Sequence, residues 1–278
     1  MSRHHIFELQ RAITSGPYDP RTYAELCQSL CADGRRDYAA DIFKRWTHID
    51  PNNPMVGYMK AGCLGGAPPA RAPEEYVKEE FNLFSLSYDR ILQELNYAMP
   101  RLVGEEMARL FATKRELEIL DGGCGTGLCG RVLRPYARTL VGVDLSEGML
   151  RQAYYRGVYD EMAQAELTGW LGTQRPRFDV MVLADVLIYF GELGPVFAAA
   201  ASALKRKGTM IYSTEAPTGN DSGDALHLNA TGRYSHGESY LRATLEESGL
   251  RLCSLASHII RNEGQQPVWG FVGRAQVL

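Results

Sequence analysis

Five glycines fall between Gly122 and Gly130, directly after a short apolar run, Leu117 to Leu120, that leads into Asp121. Two cofactor chemistries fit such a stretch. Gly125-Thr-Gly127-Leu-Cys-Gly130 satisfies the GxGxxG pattern, in which glycines admit a pyrophosphate to a helix N-terminus and a later acid, here Asp144, takes a ribose hydroxyl. The register Asp121-x-Gly123-x-Gly125-x-Gly127 instead sets an acid ahead of three alternate glycines. An acid in that place repels a pyrophosphate and suits a phosphate-free cofactor carrying ammonium and sulfonium groups, as S-adenosylmethionine does. The glycines then bend beneath its amino-acid portion, and Asp144 accepts hydrogen bonds from the ribose. The second register accounts for both acids and is the better fit.

Methyl transfer from a sulfonium is an in-line displacement with a good leaving group, yielding S-adenosylhomocysteine. Alignment supplies most of the rate, and a general base is needed only where the acceptor keeps its proton. Three side chains are candidates for that base: His236, whose imidazole titrates near neutrality, Glu215 and His227. Arg233 could hold an acidic substrate, and Tyr189, Tyr234 or Tyr240 could stack on it. His258 falls inside a late strand, where a structural role is expected.

Those residues need a scaffold. After Lys114 the sequence alternates strand and helix: strands at LEIL, TLVGVD, FDVMVLADVL and TMIYSTE, and helices at GLCGRVLRPYA, SEGMLRQAYYRG and GPVFAAAASALKRKG, the last stopping at Gly208. Ser146 is an expected N-cap, and Ser235 with Glu238 an expected capping box. Alternation of this kind predicts a doubly wound parallel sheet, and two strands at the end predict an antiparallel hairpin. Upstream, residues 1–66 read as helical and end at the Gly/Pro cluster GCLGGAPP. Within them Tyr23, Leu26 and Leu30, a turn at Gly34, then Ala39, Ala40 and Phe43 approximate one tetratricopeptide unit, with Trp46 where a small residue is usual. A lone unit cannot bury its own face, so it either caps the main domain or docks a protein partner or a second copy. A single helical stretch from Glu74 to Val103 would put Phe81, Phe84 and Tyr88 on one side.

The formal charge is −3 over 278 residues, with 45% apolar and 23% charged side chains. That balance gives no electrostatic footprint for nucleic acid or anionic membrane, and no apolar run reaches the length of a membrane span. Six cysteines show no CxxC pairing and no histidine spacing suited to zinc, so no metal and reduced cytoplasmic thiols are expected.

LDGGCGTG followed by GVDLSEGML resembles the cofactor motifs of class I S-adenosylmethionine-dependent methyltransferases. FNLFSLSYD resembles the F-D-x-x-A-x-x-Y-D helix of the ubiquinone/menaquinone type, with Asn82 and Ser85 as departures, and YDEMAQAEL resembles the segment around the third strand. FDVMVLADVLIYFGELGPVFAAAASALKRKG and GRYSHGESYL resemble predicted bacterial methyltransferases with N-terminal tetratricopeptide repeats. The resemblance implies a Rossmann-like α/β domain at 111–278, a covering segment at 67–110 and the helical region at 1–66. It implies that Gly123, Cys124 and Gly125 line the methionine moiety near Asp121, with Gly127 completing the loop, and that Asp144 holds the ribose. Leu145, Met149, Glu166 and Leu167 would meet the adenine. Asp185 would face the methyl donor, and Tyr88, with Phe81, would cover the cofactor. The acceptor is then an O, N or C nucleophile of a small or carrier-bound molecule. Two other readings stand beside this one: an interaction protein with a vestigial cofactor site, and a nicotinamide-dependent oxidoreductase.

Overall fold

A computed structural model describes residues 3–111, 116–218, 226–264 and 266–278. Four helices open it: α1 (Arg3–Ser15), α2 (Pro20–Ala32), α3 (Arg36–Ile49) and α4 (Pro54–Leu64). Their starts are written in sequence. Asp19 accepts the amide of Arg21 ahead of Pro20, and Asn53 accepts the amide of Met55 (2.9 Å) ahead of Pro54. Gly34, at φ +76°, turns α2 into α3. Tyr23, Leu26 and Leu30 of α2 and Ala39, Phe43 and Trp46 of α3 are buried together, and the Trp46 indole donates to Tyr18 Oη (2.9 Å). The remaining apolar face is covered by α1 and α4 and by Leu228 and Tyr234 from far along the chain. Tyr58 Oη seals that contact by donating to the carbonyl of Gly232 (2.6 Å).

Gly65 and Gly66, both at positive φ, end the helical quartet. The expected single stretch from Glu74 is instead three helices, α5 (Glu74–Phe84), α6 (Tyr88–Glu94) and α7 (Met99–Phe111). The break at Ser85–Ser87 corrects the predicted stripe. Phe81 and Tyr88 keep ring contact at 5.9 Å, whereas Phe84 is turned out, 42% exposed.

The sheet carries β1 (Leu117–Gly122), α8 (Leu128–Leu133), β2 (Ala137–Asp144), α9 (Glu147–Arg156), β3 (Glu161–Gln164), α10 (Leu167–Gly172), β4 (Phe178–Leu183), α11 (Gly194–Ala203) and β5 (Leu204–Glu215). Then come β6 (Leu226–Leu228), β7 (Tyr234–His236), α12 (Glu238–Glu247), β8 (Leu250–Glu263) and β9 (Gln266–Val277). Strands run parallel in the order β3-β2-β1-β4-β5, and β9 then pairs antiparallel with β5 and with β8. β1 is buried on both faces, as a central parallel strand must be. This is the Rossmann-like sheet with its antiparallel terminal hairpin. Strand order reverses between β1 and β4, so a crevice opens beyond their C-terminal ends.

Two local expectations fail. The helix meant to stop at Gly208 ends at Ala203, and the LKRKG segment enters β5 with Lys207 at φ +63°. Ser146 does cap α9 through the amide of Met149 (3.1 Å), but the capping box at Ser235 does not form. Ser235 belongs to β7, the N-cap of α12 is Gly237, and strand pairing with β6 has taken the residues a helix would have used. Part of the polar loop between β5 and β6 lies outside the described residues. No helix among the described residues is long and apolar enough to cross a membrane, and none of their His, Cys, Asp and Glu groups could hold a metal ion.

Candidate active site

The glycine loop leaves β1 and turns back over β2. The amides of Gly123 and Cys124 both donate to the carbonyl of Val143 (2.8 and 3.0 Å), holding the loop against the neighbouring strand. Gly123 and Gly125 sit at φ +69° and +53°, and a Cβ at 123 would stand 2.6 Å from Val186. Asp144 pins the other side, its carboxylate accepting the amides of Gly125 (2.8 Å) and Ser146 (2.9 Å). Burial pushes the Asp144 carboxyl up, and those amides oppose the shift. Asp121 is buried beneath the loop and accepts the phenol of Tyr159 (2.6 Å). Burial pushes it up to about 7, against the hydrogen bond from Tyr159. Asp89 of α6 takes the hydroxyl of Thr126 and the Arg156 guanidinium, which ties the covering helices to the loop.

Beyond the loop lies a cleft open to solvent. One wall is Gly123, Gly125, Asp144 and Leu145, continued by Glu166 and Leu167. Asp185, Val186, Tyr189 and Phe190 form the floor past β4, and Arg71, Glu74, Val77, Phe81 and Tyr88 close the opposite side. Phe81 meets Tyr189 edge-on with ring centroids 5.5 Å apart. A smaller cavity next to it is lined by Asp121, Cys124, Cys129 and Tyr97 and shares Tyr88, Gly123 and Gly125 with the cleft.

The structure therefore brings Asp121, Gly123, Cys124, Gly125, Asp144, Leu145, Glu166, Leu167, Asp185, Tyr88 and Tyr189 to one pair of connected cavities. Two expected contacts lie behind it. Gly127, at φ +86°, is the N-cap of α8 and backs onto Tyr159 and Arg156, and Met149 is fully buried in the first turn of α9.

The late-chain candidates are placed elsewhere. His236 is in β7, not in a helix, and lines neither cavity. Its Nε2 faces the carbonyls of Phe190 (2.9 Å) and Gly191 (3.2 Å), so it carries the proton and donates. Burial pushes its pKa to about 4, leaving a neutral strut. Glu215 is buried against the guanidiniums of Arg261 and Arg233 and does not line the cleft. Arg233 is spent on Glu215 and Glu263 rather than on a substrate. Tyr234 donates to the carbonyl of Pro69 (2.6 Å), and Tyr240 accepts the amide of Leu193 (2.9 Å). His227 stands on the exposed side of β6, away from the cleft lining, and His258 lies within β8 as expected.

Sequence reasoning missed Arg261, Arg71, Glu74 and Tyr159. Arg261 rises from β8, 4% exposed, and its Nη1 meets both carboxylate oxygens of Asp185 (3.1 and 3.2 Å). Asp185 is itself at φ +57°, its amide donating to Ser213 Oγ (2.8 Å). The only signal for Arg261 was a charge inside an apolar strand, HIIR, which the alternation of a hairpin masks.

Residues 95–255, more than half of the chain, match the family model for a methyltransferase domain. The biotin biosynthesis bifunctional protein BioHC of Saccharophagus degradans is 32% identical over 106 residues, 36% of this chain and 18% of that protein. The malonyl-(acyl-carrier protein) O-methyltransferase of Serratia marcescens is 24% identical over 196 residues, 68% of this chain and 71% of its own length. The chain thus spans under a fifth of the first relative and about seven tenths of the second. Among solved structures, magnesium protoporphyrin IX methyltransferase from Synechocystis PCC 6803 with bound S-adenosylhomocysteine has the same fold, with a TM-score of 0.58 at 18% identity over 74% of this chain and 99% of that one. The chain belongs to the methyltransferase-domain family.

Proposed function

We propose that the cleft holds S-adenosylmethionine along the loop between β1 and α8 and methylates an oxygen that arrives already ionised, a carboxylate above all, on a small or carrier-borne acceptor. In this reading the backbone of Gly123, Cys124 and Gly125 cradles the methionine portion and Asp121 faces its ammonium. Asp144 takes the ribose hydroxyls, Leu145, Glu166 and Leu167 meet the adenine, and Tyr88 covers the bound molecule. The loop suits that guest. A Cβ on Gly125 would stand 3.8 Å from the Tyr88 ring, in contact with it, and both residues line the cleft that a cofactor tail would use. Burial disfavours the ionised Asp121 carboxyl, pushing it up to about 7, and an ammonium beside it would offset that cost and favour the carboxylate.

The cofactor supplies an electrophilic methyl group on a sulfonium. The chain's own contribution is alignment and exclusion of water between the aromatic side chains Phe81, Tyr88 and Tyr189 and the loop. One observation carries the acceptor class: each carboxylate lining the cleft is committed. Asp144 accepts two amides, Asp185 is held by Arg261, Glu74 by Arg71, and Glu166 by Arg71 and two amides. Burial pushes the phenols of Tyr88 and Tyr189 up, so neither serves as a phenolate base. An acceptor that brings its own lone pair needs no base, and transfer to a carboxylate releases no proton. The name of the relative that methylates an oxygen of a malonyl carrier supports the same chemistry, and Val77, Val186 and Phe190 offer an apolar bed for the rest of the acceptor.

The α2–α3 pair turning at Gly34 supports the organisation with a tetratricopeptide-like unit at 1–66, a covering segment at 67–110 and the methyltransferase domain at 111–278. The core that the unit shares with Leu228 and Tyr234 favours a cap over a docking surface.

The test is label transfer from S-adenosylmethionine to a malonyl-loaded carrier protein, a phenol and an amine. The expected product is a base-labile methyl ester formed, at saturating S-adenosylmethionine, at a rate that is flat between about pH 6.5 and 8.5. Transfer confined to the amine or phenol, with a rate climbing as the acceptor ionises, would sink the reading.

A further inference from the structure

The segment between the helical quartet and α5 crosses the mouth of the cleft as a strap. Its backbone is fastened along its length. The carbonyl of Ala70 accepts the amides of Gly191 and Glu192 (2.9 Å each), the amide of Ala72 donates to Tyr189 (2.8 Å), and Arg71 forms an antiparallel bridge with Phe190. Gly191 is glycine for a reason. A Cβ there would stand 2.8 Å from the Tyr234 ring and 3.1 Å from two strap carbonyls. Tyr234, His236 and Tyr240, which play no part in the cleft, are what brace this junction from below.

From that anchored backbone the Arg71 guanidinium reaches two carboxylates. Glu74 is on its own side, and Glu166 is on the far wall, with Nη1 to Oε1 at 2.9 Å. Glu166 is equally fixed, because its carboxylate caps α10 by accepting the amides of Thr168 (2.9 Å) and Gly169 (2.7 Å). Both partners line the cleft. The ion pair therefore bridges two rigid walls, and its outer side is open to solvent: the side chains are 42% and 20% exposed.

We propose that Arg71 is a cofactor-retaining residue, whose ion pair with Glu166 closes the nucleoside end of the cleft and must part for S-adenosylmethionine to enter and S-adenosylhomocysteine to leave. This rests on the assignment of Glu166 and Leu167 to the adenine end. Arg71 lies upstream of the matched segment 95–255. A planar guanidinium also suits the face of a purine better than an ammonium would. An exposed pair is worth up to about 1 kcal/mol, or roughly a fivefold change in lifetime, and is weakened by salt.

Dissociation of S-adenosylhomocysteine, followed by stopped-flow fluorescence on the full chain at low and high salt, tests this. The wild-type rate should rise with salt. Arg71→Ala should release the ligand about fivefold faster at low salt with little further salt effect, and Arg71→Lys should recover part of the retention. Glu166→Gln reads the same clasp from the other wall if the first variant folds poorly. Wild-type binding with an unchanged, equally salt-sensitive rate in Arg71→Ala overturns the clasp and leaves the cofactor assignment standing. Failure of the wild type to bind the ligand at all overturns both.

Discussion

Two regions of this chain carry ionisable residues beside glycines, and folding treats them in opposite ways. Between Asp121 and Ser146 the acids stay at the rims of cavities, held by backbone amides and one phenol. Between Glu215 and Tyr240 the buried candidates are consumed: His236 by carbonyls, Glu215 by two guanidiniums, Tyr234 and Tyr240 by the strap and its junction. The difference lies in what surrounds each group. A carboxylate satisfied by amides keeps lone pairs for a ligand, whereas one satisfied by buried arginines has become part of the frame.

The comparison breaks most readily at Arg261. Arg261→Met leaves Asp185 without its cation and Glu215 with only Arg233, so unfolding in urea should show a loss of about 3–5 kcal/mol. A loss below 1 kcal/mol would mean that the buried network is not a frame. Asp144→Ala should cost about 100-fold in S-adenosylhomocysteine affinity by calorimetry, since charge-assisted hydrogen bonds to the ligand go and the Gly125 and Ser146 amides lose their acceptor. Unchanged affinity would remove Asp144 from the site.

Asp121 sharpens the contrast through pH. Its carboxyl is raised from 3.8 to about 7 in the folded chain, so its contribution to stability is fully present below the unfolded value and is lost as pH rises through about 7. A bound ammonium lowers that pKa, so affinity for S-adenosylhomocysteine should have the opposite slope. It should be complete above about 7 and fall roughly tenfold per pH unit below it, with proton release on binding. Asp121→Asn should flatten both profiles, and a variant that kept either slope would place the titration elsewhere. The smallest effect is expected at His236→Gln: about 1–2 kcal/mol of stability lost with the ligand affinity unchanged. A large loss of affinity without loss of stability would return His236 to the active site.

What sequence could reveal follows the same division. The strand, glycine loop and Asp144 interact within about one βαβ unit, so spacing alone specified their arrangement, and Ser146 announced α9 by a purely local cap. His236 could not be placed that way. SHGES reads as a helix start, and only pairing of Tyr234–His236 with Leu226–Leu228 turns it into a strand. The Arg261–Asp185 and Arg71–Glu166 pairs join segments far apart in the chain, and no periodicity in either segment mentions the other. The break at Ser85–Ser87 was hidden because the aromatics around it keep helical spacing on both sides.

The hairpin that delivers Arg261 also shields an edge. Residues 209–212 of β5 pair on one side with β4, and residues 209–215 pair on the other with β9, whose residues 270–276 come much later in the chain. During synthesis at roughly 5–20 residues per second, TMIYSTE waits for several seconds with its outer hydrogen-bonding groups bare, an apolar edge open to another chain. Over the same interval Asp185 lacks its cation. The nascent protein holds its entire glycine loop while its sheet edge is still open, a hazard that belongs to synthesis and that the stability of the finished fold does not report.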